Sequence, residues 1–225
     1  MKKKTKKKIK VKVFLKTLLI IVVVSLLVLM YRGINVKNIY VLGNDLLTEQ
    51  TIIELAGLED YPKLYKVSRR KINNNLLTSP FIENVKITKT LTGKITLDVT
   101  EYKVLYKDVF NNKIVLSNGK SVDYGKDILG ITNLINEVDK DIYDKFIQKM
   151  NKIDDSILLK ISEIKYDPNE LDNKRFLLYM TDQNYVYLTL SKFEVINTYN
   201  DIVPTLEGKK GILYLDSGNH FQIKK

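Results

Sequence analysis

The sequence predicts an α+β protein: a single transmembrane helix, then a β-α-α-β-β domain, then an antiparallel-sheet β domain with flanking helices. Three observations support this prediction. One apolar segment near the N-terminus is long enough to cross a bilayer. Two stretches with helical apolar spacing follow it and precede a pair of alternating stretches. The second half of the 225 residues consists mainly of short alternating stretches separated by turn residues.

The apolar segment, residues 13–31, is predicted to be the transmembrane helix. Only three of its residues are not apolar: Lys16, Thr17 and Ser25. At 1.5 Å per helical residue it spans roughly 28 Å, close to the thickness of a hydrocarbon core. Lys16 can extend back to the headgroups, while Tyr31 and Arg32 mark the far interface. A cleaved signal peptide is the alternative, but its end should carry small residues where this chain has large or charged ones.

The basic residues predict the orientation of this helix. The net charge is +11, and residues 1–32 hold ten Lys and Arg and no acid, which leaves 27 basic and 26 acidic residues in 33–225. Segments rich in Lys and Arg next to a transmembrane helix usually remain in the cytoplasm. Residues 1–12 are therefore expected to form a cytoplasmic tail, and residues 33–225 to lie outside the cell membrane. Binding of acidic lipid by the tail is compatible with this topology. A nearly neutral body argues against nucleic acid as a partner.

Residues 33–102 are predicted to form the first outer domain. A strand over residues 36–42 ends at the turn residues Gly43 and Asn44. Alternation on both sides of a turn at Thr92-Gly93 predicts a hairpin with one buried and one wet face.

Two helices are predicted between these strands. Thr48 is expected to cap the first, which ends at Gly57, and Ser68 to cap the second, which stops before Pro80. Two helices that cover one face of a three-stranded sheet form two packed layers around one hydrophobic core, which is a stable arrangement for a small domain.

Several short patterns in this region resemble those of a POTRA domain. They comprise Val36, Ile39, Val41, Gly43, Asn44, residues 79–89 and residues 95–101. One POTRA domain directly after a single anchor is similar to the arrangement in the DivIB/FtsQ family of bacterial cell-division proteins, and the short chain and lysine-rich tail favour DivIB. The chain departs from the family at Leu91-Thr92-Gly93, where relatives often carry a proline.

Residues 103–225 are predicted to form the β domain. Strands are expected over residues 102–110, 114–116, 161–167, 176–181 and 185–190, with a closing strand or hairpin over 211–223. Apolar spacing predicts helices over residues 139–153 and 192–203, the second ending or kinking at Pro204. The region resembles the β domain that follows POTRA in the family. Its family-like positions are Gly211, Leu215, Asp216 and Phe221.

The residues form no pattern typical of catalysis. With no Cys and only His220, neither a triad nor a thiolate or His-based metal site is possible, and His220 is expected in a surface loop. Adjacent Asp154 and Asp155 would point apart on a helix and are expected to cap one. The chain is therefore predicted to be no enzyme, with no cofactor, no metal and no small-molecule substrate.

Tyrosines in the predicted strands have two interpretations. Tyr179, Tyr185 and Tyr187 could form an aromatic binding face, or they could be half-buried in a sheet.

The family resemblance implies a binding function at the division septum. It implies that the β domain recruits and stabilises two bitopic coiled-coil proteins, DivIC/FtsB-like and FtsL-like, while POTRA directs the protein to the septum. An exposed sheet edge offers a mechanism, because a partner can add a strand to it. The contact is expected near the last strand, at Leu213, Tyr214, Leu215, Asp216 and Phe221. The alternative is that this strand only closes the sheet.

Two other function classes are considered. A POTRA-type polypeptide transport or assembly component would be expected to carry repeated POTRA units or a large barrel. An anchored cell-wall enzyme would need the catalytic residues that the sequence does not bring together.

Overall fold

The structure, a computed structural model, describes residues 11–125 and 130–224. It divides into two compact units, Met1–Glu101 and Tyr102–Lys225. Most of the basic tail predicted over residues 1–12 lies outside the described residues. The α+β class is confirmed: an apolar N-terminal helix is followed by a β-α-α-β-β arrangement and then by a region dominated by a sheet.

The first unit begins with α1, Val11–Gly33, which contains the predicted transmembrane segment. Within the described residues it is the one helix long and apolar enough to cross a membrane. None of its residues is buried by the protein. A continuous apolar surface of this length suits hydrocarbon rather than water, which indicates a single-pass membrane protein.

A three-stranded sheet forms the body of the first unit. Its strands are β1 Asn38–Leu42, β2 Ile82–Lys89 and β3 Lys94–Glu101. β3 lies in the centre, parallel to β1 and antiparallel to β2. The predicted hairpin is confirmed, whereas the first strand begins two residues later than expected because residues 36 and 37 bond to neighbouring loops instead.

Two helices cover one face of this sheet, as predicted. They are α2 Glu49–Ala56 and α3 Arg69–Leu76, with a short 3-10 helix Leu64–Lys66 between them. The predicted caps are confirmed, since the Thr48 side chain accepts from the Thr51 N–H and the Ser68 side chain from the Lys71 N–H. Gly57 ends α2 in the left-handed conformation, with φ 67°.

The core of the first unit lies between this sheet and these helices. Its most buried side chains come from all three layers: Ile52, Leu58, Leu64, Leu76, Ile95 and Leu97. Burial of one apolar stripe on each helix against one sheet face is therefore what holds the unit together.

The second unit contains nine strands and several short helices among its described residues. The strands are β4 Val104–Asp108, β5 Lys113–Leu116, β6 Ser121–Val122, β7 Asn133–Leu134, β8 Ile161–Tyr166, β9 Arg175–Met180, β10 Tyr185–Thr189, β11 Gly211–Tyr214 and β12 His220–Ile223. The helices are α4 Lys140–Met150, α5 Asp155–Leu158 and α6 Tyr199–Ile202, with 3-10 helices Leu190–Thr198 and Val203–Leu206.

These strands form one sheet in the order β12-β11-β10-β9-β8-β7-β4-β5-β6. Most neighbours are antiparallel, as expected, but β10–β11, β4–β7 and β7–β8 are parallel. The parallel pairs arise wherever helices or long loops return the chain to the same end of the sheet.

One face of the sheet packs on a core that contains an aromatic cluster. Phe146 of α4 stacks on Phe176 of β9 with ring centroids 4.8 Å apart, and Phe193 meets both rings edge-on. The prediction that α4 buries Ile142, Phe146, Ile147 and Met150 is confirmed. This cluster packs α4 and the segment that contains Phe193 on β9.

Two predicted elements were wrong in detail. The strand predicted to end at Phe110 ends at Asp108, because the Asp108 carboxylate accepts hydrogen bonds from the Asn111 backbone and side chain and starts the turn there. The single helix predicted over residues 192–203 is instead a 3-10 helix, a short α6 and a second 3-10 helix that contains Pro204. Its buried side chains are Leu190, Phe193, Ile196 and Tyr199, and a spacing of three suits the 3-10 helix.

Candidate functional site

The second sheet ends at an edge strand, β12, which is paired on one side only in the described part of the chain. β12 pairs antiparallel with β11 on one side and is the last strand of the sheet among the described residues. The Lys224 N–H donates to the Lys210 carbonyl at 3.0 Å. Because backbone groups alternate in direction along an antiparallel strand, Gln222 also points its backbone towards β11, while Phe221 and Ile223 point theirs to the free edge.

Gly211 and Asn184 hold this edge in place. A Cβ at Gly211 would lie 2.1 Å from the Gln222 carbonyl oxygen, so only glycine permits the approach of β12 to β11. The Gly211 N–H donates to the Asn184 side-chain oxygen at 3.0 Å, and the Asn184 amide donates to Asp182 and to the Tyr199 hydroxyl. Burial raises the pKa of the Tyr199 hydroxyl, which keeps it a neutral donor to Asp182.

A column of stacked planar groups crosses the outer face of the sheet and ends at the open edge. The Arg175 guanidinium lies 3.4 Å from the centroid of Tyr187, Tyr187 stacks on Tyr214 at 5.4 Å, and Tyr214 stacks on His220 at 4.5 Å. Each step joins neighbouring strands, so the column ties β9 to β12 by side chains as well as by the backbone.

An ion-pair network anchors the inner end of the column. The Arg175 Nε donates to Asp216 Oδ2 at 2.8 Å, and Arg175 Nη1 lies 3.5 Å from Asp167 Oδ2. Asp167 also accepts from the Lys165 ammonium at 2.8 Å, and this hydrogen bond raises the pKa of Lys165. Arg175 and Asp216 are largely shielded, so their charges are engaged within the unit, whereas Lys165 lies at the exposed end of the network.

The structure distributes the predicted contact residues between the core and the surface. Leu213 and Leu215 are buried in the core, and Asp216 is held by Arg175. Tyr214 lies within the stacked column, and Phe221 packs partly against the core. Their role in partner binding stays a prediction, and the strand that presents free backbone groups is β12 rather than β11.

His220 was predicted to lie in a surface loop; its exposure is confirmed, but the loop assignment was wrong. It is the first residue of β12, exposed, with its ring stacked parallel to Tyr214. Gly218 and Asn219, both with positive φ, make the turn that precedes β12.

Sequence reasoning missed Arg175 and Asn184 as residues that build this edge. A single Arg at the start of an apolar strand, and an Asn in a turn after Asp182, carry little signal alone. Their partners, Asp216 and Gly211, lie 41 and 27 residues away in the chain.

The tyrosines of β9 and β10 lie on the outer face and are half-buried. Tyr179 meets Tyr185 edge-on at 5.3 Å, and Lys224 lies 5.0 Å from the Tyr185 ring. They support the sheet, and their use as a binding face stays a prediction.

The acidic residues show no arrangement for metal binding in residues 11–125 and 130–224, where no group of three or more His, Cys, Asp and Glu could hold an ion. Asp154 occupies the N-cap position of α5 without a side-chain cap bond, and Asp155 pairs with Lys103.

In the first unit, the predicted turn residues Gly43 and Asn44 are held by the end of β3. A Cβ at Gly43, where φ is +74°, would lie 2.2 Å from the Val99 carbonyl oxygen. Asn44 donates to the Leu47 carbonyl at 3.0 Å. The Glu101 carboxylate accepts the N–H groups of Asp45, Leu46 and Leu47 at 2.9, 2.6 and 3.0 Å, a set of bonds that the sequence did not reveal.

The predicted flanks of the anchor lie at opposite ends of α1. Lys16 is exposed in its second turn. Tyr31 packs partly against the core of the first unit, and Arg32 lies 5.3 Å from the ring centroid of Tyr65. The far end of α1 is therefore continuous with the folded body.

Comparisons with known proteins agree with this architecture. Residues 34–102 match the family model described as "POTRA domain, FtsQ-type". "Cell division protein DivIB" of Bacillus cytotoxicus is 30% identical over 196 residues, which cover 84% of this chain and 76% of that protein. The DivIB of Listeria monocytogenes is 28% identical over 84% of this chain and 72% of its own, and that of Bacillus subtilis 26% identical over 91% and 81%.

A solved structure is a looser match. It is the major extracytoplasmic domain of the trans isomer of the bacterial cell division protein DivIB from Geobacillus stearothermophilus, 22% identical, with a TM-score of 0.36. The match covers 42% of this chain and 83% of that one, and the family assignment does not depend on it.

Proposed function

We propose that this chain, which belongs to the DivIB family of bacterial cell-division proteins, acts as a non-enzymatic membrane scaffold of the division machinery. It recruits and stabilises other bitopic division proteins at the septum. The single observation that carries the proposal is the open edge at β12, where Phe221 and Ile223 direct unpaired backbone groups outward.

The proposed topology follows the charges and the apolar helix. Residues 1–12 form a cytoplasmic basic tail, residues 13–31 cross the cell membrane, and residues 33–102 and 103–225 are the extracytoplasmic POTRA and β domains. The lysine excess before α1 supports this orientation.

The proposed partners are DivIC/FtsB-like and FtsL-like proteins, whose extracytoplasmic segments would supply the added strand. Backbone hydrogen bonds provide the affinity in this mode of recognition, and alternate side chains provide the specificity. The Ile223 side chain is 54% exposed at the free edge and is suited to contact such a strand. Confinement of all partners to one membrane raises their effective concentration, so weak contacts suffice.

Substitution of Ile223 tests this proposal. Ile223→Pro removes an outward N–H and leaves the hydrogen bonds of Gln222 to β11 in place, whereas Ile223→Val keeps the N–H. With the full chain in detergent, we expect Ile223→Pro to weaken binding of the partners' extracytoplasmic segments at least tenfold, and Ile223→Val to bind normally. A fluorescent fusion of the Ile223→Pro chain should also be lost from the septum more readily than the Val control. Equal binding by both variants would contradict strand addition at β12.

A further inference from the structure

Two loops of the first unit are bonded to the chain where it leaves α1. The Leu64 N–H donates to the Ile34 carbonyl at 2.9 Å, and the Val36 N–H donates to the Pro62 carbonyl at 2.9 Å. The Lys37 N–H donates to the Gly93 carbonyl at 2.8 Å. Residues 61–66 and 90–93 are therefore held beside the end of α1. If α1 spans the bilayer, as the proposed topology has it, these loops lie at the headgroup level.

The side chains that these loops expose, together with Arg32 at the end of α1, are here called the membrane-proximal surface. It consists of Arg32, Tyr61, Lys63, Tyr65, Lys66 and Leu91. Tyr61, Tyr65 and Leu91 are 46%, 40% and 75% exposed, so these loops present two aromatic rings and one large apolar side chain at their surface. Aromatic and basic side chains around an apolar tip are typical of a membrane–water interface.

The charge of this surface is positive and unpaired within the unit. Neither Lys63 nor Lys66 forms an ion pair with a carboxylate in the described part of the chain; Lys63 Nζ instead lies 3.4 Å from the Gly33 carbonyl oxygen. Lys89 adds a further positive charge beneath the loop, where its ammonium donates to the Leu64 and Val67 carbonyls. The nearest acids in sequence are Glu59 and Asp60, and residues 59–71 contain five basic residues against these two.

We propose that the membrane-proximal surface binds anionic phospholipid headgroups around α1. The inference rests on the proposed membrane placement of α1 but not on partner binding at β12. Because α1 already holds the surface at the bilayer, weak contacts are enough to keep it there. The lipid contact would fix the orientation of the first unit on the membrane, with the Leu91 tip inserted and the lysines at the phosphates.

A single-cysteine series tests the position of the surface. The natural chain has no Cys, so Leu91→Cys provides a unique site for an environment-sensitive fluorophore. Glu83→Cys is the matched control, because it is exposed on the same hairpin eight residues earlier, roughly 25 Å away along an extended strand. The full chain is placed in phosphatidylcholine nanodiscs with and without phosphatidylglycerol, and quenching by headgroup-labelled lipid is measured. We expect quenching at Leu91→Cys and none at Glu83→Cys.

A lysine pair tests the role of charge. In the Leu91→Cys chain, Lys63→Gln with Lys66→Gln should lower the ratio of bound to free surface about fivefold per lysine, or roughly 25-fold for the pair, in phosphatidylglycerol nanodiscs. Lys140→Gln with Lys145→Gln in α4 makes the same change in net charge on exposed residues of the second unit and should have no effect.

Three results would overturn the proposal. The Leu91 probe could be as unquenched as the Glu83 probe in anionic nanodiscs. Quenching could be independent of phosphatidylglycerol and of the lysine pair. That result would show that attachment through α1 alone places the surface near the lipid. Soluble polyphosphate could change the Leu91 signal while lipid does not, which would indicate a polyanion instead. Binding of partners by the Ile223→Pro and Ile223→Val chains is measured separately, so failure here does not decide the function of β12.

Discussion

The two units close their sheets by different chemistry. In the first, charged side chains bind backbone groups: Glu101 accepts three N–H groups of residues 45–47, and Lys89 donates to two carbonyls. In the second, stacked side chains join four neighbouring strands in the column from Arg175 to His220, and Asn184 adds one bond to the Gly211 N–H. Removing a side chain that bonds to the backbone leaves backbone N–H or C=O groups without a partner. Removing one stacked ring leaves the backbone hydrogen bonds between the strands intact. The first unit should therefore lose more stability than the second when one of these side chains is substituted.

The largest effect is expected from a substitution in the turn after β1, where the chain lies against β3. Gly43→Ala places a Cβ 2.2 Å from the Val99 carbonyl oxygen at a residue with φ +74°, so both backbone strain and a clash with β3 follow. We expect the free energy of unfolding of the first unit to fall by about 3 kcal/mol. Hydrogen exchange of the full chain in detergent, read at the amides of β1 and β3, measures it.

Gly57→Ala is the matched control for this substitution. Its φ is +67°, but the nearest atom to an added Cβ is 3.9 Å away, so only the strain applies. A loss of about 1 kcal/mol is expected. An equal loss of unfolding free energy for the two substitutions would show that the close approach of Gly43 to β3 does not affect stability.

The next effect removes the carboxylate that holds residues 45–47. Glu101→Ala leaves three backbone N–H groups without their acceptor and should lower the stability of the first unit by about 2 kcal/mol. Glu101→Gln keeps one oxygen acceptor and should lose about half as much. Thermal unfolding followed by limited proteolysis of this unit distinguishes them, and an unchanged midpoint for Glu101→Ala would refute the backbone-closure argument.

The matching change in the second unit is smaller and local. Gly211→Ala meets the Gln222 carbonyl at the edge of the sheet, where β12 can move away. We expect about 1 kcal/mol of global destabilisation, with fast hydrogen exchange confined to β12 and weaker partner binding. Loss of protection throughout β8 to β10 would contradict the view that β12 can open without unfolding of the rest of the sheet.

The smallest effect is a gain in stability. Arg70 lies in the first turn of α3, which contains no acidic residue, and a helix dipole disfavours a cation there. Arg70→Glu should raise the stability of the first unit by about 0.5 kcal/mol, with Arg70→Gln intermediate. A decrease in both variants, measured by the same thermal method, would show that Arg70 makes a stabilising contact.

The difference between the units also explains what sequence reasoning could predict. The caps at Thr48, Ser68 and Gly57 and the β2–β3 hairpin are signalled within a few residues, so the first unit could be predicted element by element. The parallel β10–β11 pair depends on the Asn184 contact with Gly211 across 27 residues. No local pattern encodes such a contact.

The 3-10 helix shows the same limit in another form. The helix predicted over residues 192–203 rested on the spacing of Phe193, Ile196, Tyr199 and Val203, whereas the structure buries Leu190, Phe193, Ile196 and Tyr199, which recur every three residues. The spacing was available in the sequence, but helix type was decided by packing against β9 and α4. The open edge at β12 likewise could be suspected from the last strand, while its free backbone groups are defined only by register.

Hydrogen exchange at β12 tests the central claim most directly. In the free chain, the amide of Gln222 should be protected by β11, while those of Phe221 and Ile223 exchange rapidly. On addition of the extracytoplasmic segments of the proposed DivIC/FtsB-like and FtsL-like partners, protection should appear at Phe221 and Ile223. New protection elsewhere in the second unit, with Phe221 and Ile223 still exchanging freely, would contradict the account.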